Sequence, residues 1–137
     1  MKTIKFSNVF IVDKDNKILI LRRTNSHPTR PLALDLPGGG LEEGEDFVTA
    51  VIREVKEETN IELNPKDLKL IRCRKLNLPE RGLEGAIFIA RIVSNNVRIS
   101  LSEEHDEYYW VGHNALKNLP EFHQDSLDFA LKNKFLN

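Results

Sequence analysis

Two runs near the start of the chain, Lys5–Val12 and Lys17–Arg23, are apolar and rich in Ile and Val, with Asp13-Lys14-Asp15-Asn16 between them. Strand-forming runs on either side of such turn residues predict a β-hairpin. Thr24–Leu32 holds Pro28 and Pro31 and reads as a loop, and Ala33–Leu36 as a short strand stopped by Pro37 and the glycines Gly38-Gly39-Gly40. From Asp46 to Thr59 the period becomes helical. At ~100° per residue, Val48, Val51, Ile52, Val55 and Thr59 share one arc and should face a sheet. Asn60 follows as a residue that accepts a left-handed cap.

Leu68–Leu76 then reads as a strand, Pro79–Gly85 as a turn, and the β-prone Ala86–Val93 as a central strand. Val97–Leu101 is a short strand or an extended connection, Tyr108–Val111 a strand and His113–Leu119 a helical turn. Pro120 can open a last helix, with Leu127, Ala130 and Leu131 on its inner face and Lys134 at the edge. The sum is a mixed sheet with one central and one C-terminal helix, an α/β layered domain.

A length of 137 residues fits one domain, 1–137, able to bury a core without staples. The net charge of −1 gives no global footprint for nucleic acid or a membrane surface. No stretch reads as a secretory leader or a bilayer span, so a cytoplasmic location is expected. The one cysteine, Cys73, has no partner for a disulfide or a metal site and is expected to be buried among apolar neighbours.

The central helix carries the chemistry. Glu54, Glu57 and Glu58 stack on an arc beside the apolar one, because positions i, i+3 and i+4 are neighbours. Their mutual repulsion, and the helix dipole at the last turn, cost about a few tenths of a kcal/mol each. A hard divalent cation such as Mg²⁺ or Mn²⁺ would reverse the sign, since both take carboxylate oxygens. A solvated acidic face is the plainer alternative for the glutamates alone. The glycines before the helix let the backbone bend sharply and let another group come close.

Taken together, these residues are more specific. After Gly39 come five residues and Glu45, then seven residues and Arg53-Glu54-Val55, Lys56, Glu57-Glu58, Thr59, Asn60 and Ile61. This resembles the signature of the Nudix hydrolases at every fixed position but one, Asn60 standing where the family usually has glycine. The resemblance implies the Nudix fold, a mixed sheet sandwiched between helices, and hydrolysis of a nucleoside diphosphate linked to another group with Mg²⁺, or Mn²⁺ in its place. It casts Glu54, Glu57 and Glu58 as metal ligands and Glu54 also as general base. Arg53 belongs to the catalytic set by orienting a glutamate. Glu45 either ligates through water or ties down the loop. Gly38 and Gly39 shape that loop, and the backbone carbonyl of Gly39 or Gly40 is a further metal ligand. By its distance before Trp110, Glu104 matches a metal-binding glutamate of MutT-type members, with Glu103 and Glu107 as weaker alternatives. His105 is expected to be a loop residue that packs or hydrogen-bonds locally, and Trp110 to belong to the core.

Substrate identity is less legible. Arg22 and Arg23 end the second strand, where family members hold phosphates or base; alternation turns only one inward, taken to be Arg23, and a surface role is open for either. Arg30 could reach a phosphate. Asn77, Phe88, Phe122 and His123 could shape a base pocket, core packing being the plainer role of the phenylalanines. The marks of the ADP-ribose, dinucleoside polyphosphate and coenzyme A subfamilies are absent or incomplete. By elimination, the expected activity is that of a MutT-type nucleoside triphosphate pyrophosphohydrolase releasing a nucleoside monophosphate and pyrophosphate. An ADP-ribose or nucleotide-sugar pyrophosphatase and a non-catalytic nucleotide sensor are the alternatives. The expected partner is a small nucleotide, with no nucleic acid or membrane, bound by a monomer or homodimer.

Overall fold

The computed structural model describes residues 2–93 and 97–137. Seven strands form one mixed sheet: β1 (Thr3–Val12), β2 (Ile18–Arg23), β3 (Leu34–Asp35), β4 (Gly38–Gly40), β5 (Leu68–Asn77), β6 (Gly82–Arg91) and β7 (His105–Val111). Two helices, α1 (Phe47–Thr59) and α2 (Glu121–Lys132), cover its faces. The order β3-β2-β1-β6-β5 puts β1 at the centre, parallel to β6 and antiparallel to its other neighbours.

Strand alternation sorts the core into two layers. Val9 and Ile11 of β1 point with Leu19, Leu21 and Phe88 toward Val51 and Val55 of α1. Phe10 and Val12 point with Ile18, Ile20, Ile87 and Ile89 toward Leu127 and Ala130 of α2. Val9 to Val12 are fully buried, as expected for a strand covered on both faces.

The predicted hairpin exists only at its tip. β1 and β2 pair at Val12 and Ile18 and then splay apart. The chain from Leu34 to Gly40 fills the gap, β3 pairing with β2 and β4 with β1, broken between them at Leu36-Pro37. Pro37 has no N–H for a ladder, but its carbonyl accepts from Val9 N at 3.0 Å. The candidate site residues gather around this splay.

Several boundaries differ from the expectations. β6 begins at Gly82, inside the expected turn, because Thr3 to Phe6 of β1 pair with Gly82 to Gly85. β7 begins at His105 rather than Tyr108, since β2 templates it back to Arg23. Val97–Leu101 is an extended connection, and Lys134 lies beyond α2, exposed with φ 62°. Cys73 is exposed rather than buried. A register shift between Leu70 and Arg72 gives consecutive residues one face: Ile71 joins the α2 layer, and the Arg72 guanidinium lies 4.3 Å over the ring of Phe129 on α2. Such a bulge reverses the alternation after it, which turns Cys73 outward. Among the described residues no helix is long and apolar enough to cross a membrane.

Candidate active site

Helix α1 is fixed at both ends. The Asp46 side chain accepts from Thr49 N at 2.7 Å, and Asn60, at φ 68°, ψ 10°, donates its N–H to Lys56 O. This is an N-cap and a left-handed C-cap, with asparagine doing what glycine usually does. Arg53 is the hub of the outer face. Its Nε and Nη2 grip the two Glu45 oxygens at 2.8 and 2.9 Å, Nη2 also reaches Gly40 O at 3.1 Å, and Nη1 reaches Glu54 at 3.0 Å and Glu57 at 3.3 Å. A guanidinium has five N–H groups, and these contacts engage all of them. The Arg53 side chain, with the backbone N–H of Glu42, draws the Glu45 carboxyl down to about 2. Glu45 is therefore a strut between the loop and the helix.

The glycine strand supports the other side. At Gly39 an added Cβ would stand 2.7 Å from the Glu54 carboxyl carbon, so only glycine leaves that carboxylate its place. Gly38, at φ 137°, crosses the backbone of Ser7 and Asn8 with no room for a side chain, and its N–H donates to Glu58 Oε1 at 2.8 Å. Glu58 is buried. Burial pushes its carboxyl up to about 9, the Gly38 N–H opposing and the charges of Glu54, Asp35 and Glu104 adding. Glu54 is also raised, chiefly by burial.

Glu104 is brought to this group by the segment that follows α1's last turn across the sheet: Ser100 N and Ser102 N donate to Thr59 O and Glu58 O. Thr24 N donates to Glu104 O at 3.0 Å. One step on, His105 starts β7 and is buried: it packs, one of its two expected roles, but in a strand rather than a loop, and neither ring nitrogen has a hydrogen-bond partner among the described residues. Burial holds its pKa below the usual imidazole value, so the ring is neutral near pH 7. Ligand atoms of Glu58, Glu104 and His105 lie within 4.8 Å of one another. Glu57 is exposed beside them. The raised carboxyls of Glu54 and Glu58 suit a divalent cation, whose charge replaces the protons burial would otherwise impose.

Behind the glycine strand is a cavity of about 350 Å³ lined by Phe6, Arg23, Arg30, Phe122 and His123 among others. Phe6 and Phe122 meet edge to face, centroids 5.1 Å apart. Arg23 is tied to Asp35 at 2.9 Å and to Thr29 at 2.7 Å. Burial would raise the Asp35 carboxyl, but His123, bonded at 3.0 Å, and Arg23 draw it below its usual value. Arg30 has no carboxylate partner among the described residues. Phe88, by contrast, is core.

The NUDIX domain model matches residues 1–131. The chain belongs to the Nudix hydrolases. A Nudix relative named RNA pyrophosphohydrolase, from Pelagibacter ubique, is 30% identical over 115 residues, 73% of this chain and 68% of the relative. An ADP-ribose pyrophosphatase from Methanocaldococcus jannaschii is 32% identical over 111 residues, 81% of this chain but 62% of the relative. The crystal structure of a MutT protein from Methanosarcina mazei superposes with a TM-score of 0.80 at 28% identity, covering 97% of this Nudix chain and 96% of the other. The mixed sheet between helices is thus the Nudix fold.

Within that fold, Glu45, Arg53, Glu54, Glu57, Glu58, Glu104, Gly38 and Gly39 form one neighbourhood, and Arg23 lines the cavity. Arg22 does not: it pairs with Asp106 at 2.9 Å and Glu107 at 3.5 Å on the far side of β2. Asn77 ends β5, paired with Gly82 and away from the cavity lining. Sequence reasoning missed Phe6, Asp35 and His27. Phe6 sits in an alternating strand and carries no separate signal. His27 belongs to a loop whose fold composition does not reveal.

Proposed function

We propose that this Nudix hydrolase is a Mg²⁺-dependent, MutT-type pyrophosphohydrolase that converts a nucleoside triphosphate and water to a nucleoside monophosphate and pyrophosphate, with Mn²⁺ able to replace Mg²⁺. The observation that carries this reading is the three-residue wall of β4, which has the carboxylate group on one side and a base-sized cavity with an aromatic shelf on the other. Glu54, Glu57, Glu58, Glu104 and the Gly39 carbonyl would hold the cation. When bound, the cation offsets phosphate charge and lowers the pKa of water.

This chain's own groups do the rest. Glu54, raised by burial and steadied by Arg53, accepts the proton of the attacking water. Arg53 spends its donors on carboxylates and a carbonyl, so it is a positioning residue. Arg30 and Arg23 face the cavity with positive charge suited to phosphate or ribose oxygens, and the Phe6–Phe122 shelf offers a base its apolar face. A cytoplasmic location belongs to the same proposal: nucleotides are the substrate, and an exposed unpaired thiol suits a reducing compartment.

The likeness to the archaeal ADP-ribose pyrophosphatase favours a second reading, cleavage of ADP-ribose or a nucleotide sugar. A panel of ordinary and oxidised nucleoside triphosphates, ADP-ribose, nucleotide sugars and dinucleotides, assayed with Mg²⁺ and resolved by phosphorus NMR, decides. Pyrophosphate with a nucleoside monophosphate supports the first reading. Turnover confined to ADP-ribose or a nucleotide sugar replaces it with the second.

A further inference from the structure

His105 is the residue that the site described so far does not use. Its side chain is 2% exposed, and neither ring nitrogen finds a hydrogen-bond partner among the described residues. Burying a polar ring without a partner is unfavourable and calls for an explanation. Nδ1 stands 3.9 Å from Glu58 Oε2. That is too far for a hydrogen bond. Two atoms ligating one first-row ion at ~2.0–2.2 Å lie roughly 3–3.5 Å apart, so a shift of several tenths of an ångström brings both onto a common cation. The other oxygen of Glu58 is already fixed by Gly38, which leaves Oε2 as the one turned to the ring.

Glu104 has its own support. His27 Nδ1 accepts the Thr29 N–H at 3.1 Å, which leaves the ring proton on Nε2, 3.9 Å from Glu104 Oε2. A small turn of the exposed Glu104 side chain closes that gap. An imidazole N–H that steadies a ligating carboxylate is a common outer-shell device.

We propose that His105 ligates through its imidazole, so that Glu58, Glu104 and His105 hold a first-row transition-metal dication in preference to Mg²⁺. The chemistry follows from the donor set: all-oxygen groups suit Mg²⁺, whereas imidazole suits the later divalent metals. The inference rests on the reading above that Glu58 and Glu104 are cation ligands, and it adds nitrogen to their set.

The test is spectroscopic. The full chain is loaded with Mn²⁺ and examined by electron spin echo modulation for imidazole ¹⁴N coupling, then titrated with Co²⁺ and with Mg²⁺. The expected results are ¹⁴N coupling in the wild type, its loss in His105→Asn, and a Co²⁺ affinity at least about tenfold lower in that variant with Mg²⁺ affinity little changed. Bound Mn²⁺ without ¹⁴N coupling, or unchanged Co²⁺ affinity in a folded His105→Asn, overturns the proposal while leaving an all-oxygen site in place. No divalent binding at all overturns the underlying reading as well. Should His105→Asn fail to fold, His27→Gln decides: coupling that persists supports His105, and coupling that vanishes overturns it.

Discussion

Two carboxylates within one short stretch of chain behave in opposite ways. Glu45 and Glu58 are the same residue type, each held by a backbone N–H. Glu45 also has a guanidinium on both oxygens and drops to about 2, whereas Glu58 is buried beside other acids and rises to about 9. The difference lies in the partner. Where the chain supplies its own cation, Arg53, a glutamate becomes a strut. Where it supplies only acids and a neutral imidazole, the missing charge falls, on the proposed reading, to a cation from solution. Residue identity in an acidic motif therefore says less than which glutamate the arginine has already claimed.

The comparison breaks most sharply at turnover. Glu58→Gln is expected to lower kcat by more than about a hundredfold with Mg²⁺, while the cation-free melting temperature stays level or rises. Glu45→Gln should do the reverse in emphasis, lowering the melting temperature and costing less activity. Steady-state kinetics and thermal melts on both variants suffice. Equal losses in both would erase the distinction between strut and ligand.

Gly39→Ala comes next, with an expected loss of about tenfold or more in kcat/KM, because its Cβ overlaps the Glu54 carboxyl and small misplacements of reacting groups are costly. A fully active variant would show that Glu54 acts from elsewhere.

The pH dependence of stability sharpens the contrast without any mutation. A depressed carboxyl contributes stability that is present above its unfolded pKa, 4.5, and is lost as pH falls toward the folded value. Glu45 therefore weakens the fold between about 4.5 and about 2. A raised carboxyl works the other way. In chelator the native chain holds the Glu58 proton more tightly, so stability falls as pH climbs from 4.5 toward about 9. Urea melts in chelator across pH 3–9 should show both slopes, with the upper one flattened in Glu58→Gln.

The smallest effect belongs to Asn60→Gly. With the backbone already left-handed and only the Lys56–Asn60 hydrogen bond at 2.9 Å to lose, stability should change by less than about 0.5 kcal/mol. A larger loss would mean that this side chain does more than cap.

Much of the frame was legible in the sequence, for local reasons. The period of Val48 to Thr59, the Asp46 and Asn60 ends, and the alternating first strands all follow from short-range pattern. What long-range pairing decides was not legible. Three glycines have no strand propensity, yet they form β4 because β1 is left without a partner once β2 splays away. Gly82 to Gly85 read as a turn until β1 recruits them. His105 read as a loop residue because its burial depends on β2 pairing back to Arg23. Glu54, Glu57 and Glu58 could be read because they share one helix, and Glu104 only through its distance before Trp110 in the family resemblance. The imidazoles arrive from a loop and from a strand start, and no spacing rule joins them.

The irregularity in β5 has a practical consequence. It leaves the chain's one thiol on an outer edge strand, facing solvent, and Cys73 is not among the residues lining the cavity behind β4. A maleimide dye would therefore couple at a single native position outside that cavity, without any engineered attachment point.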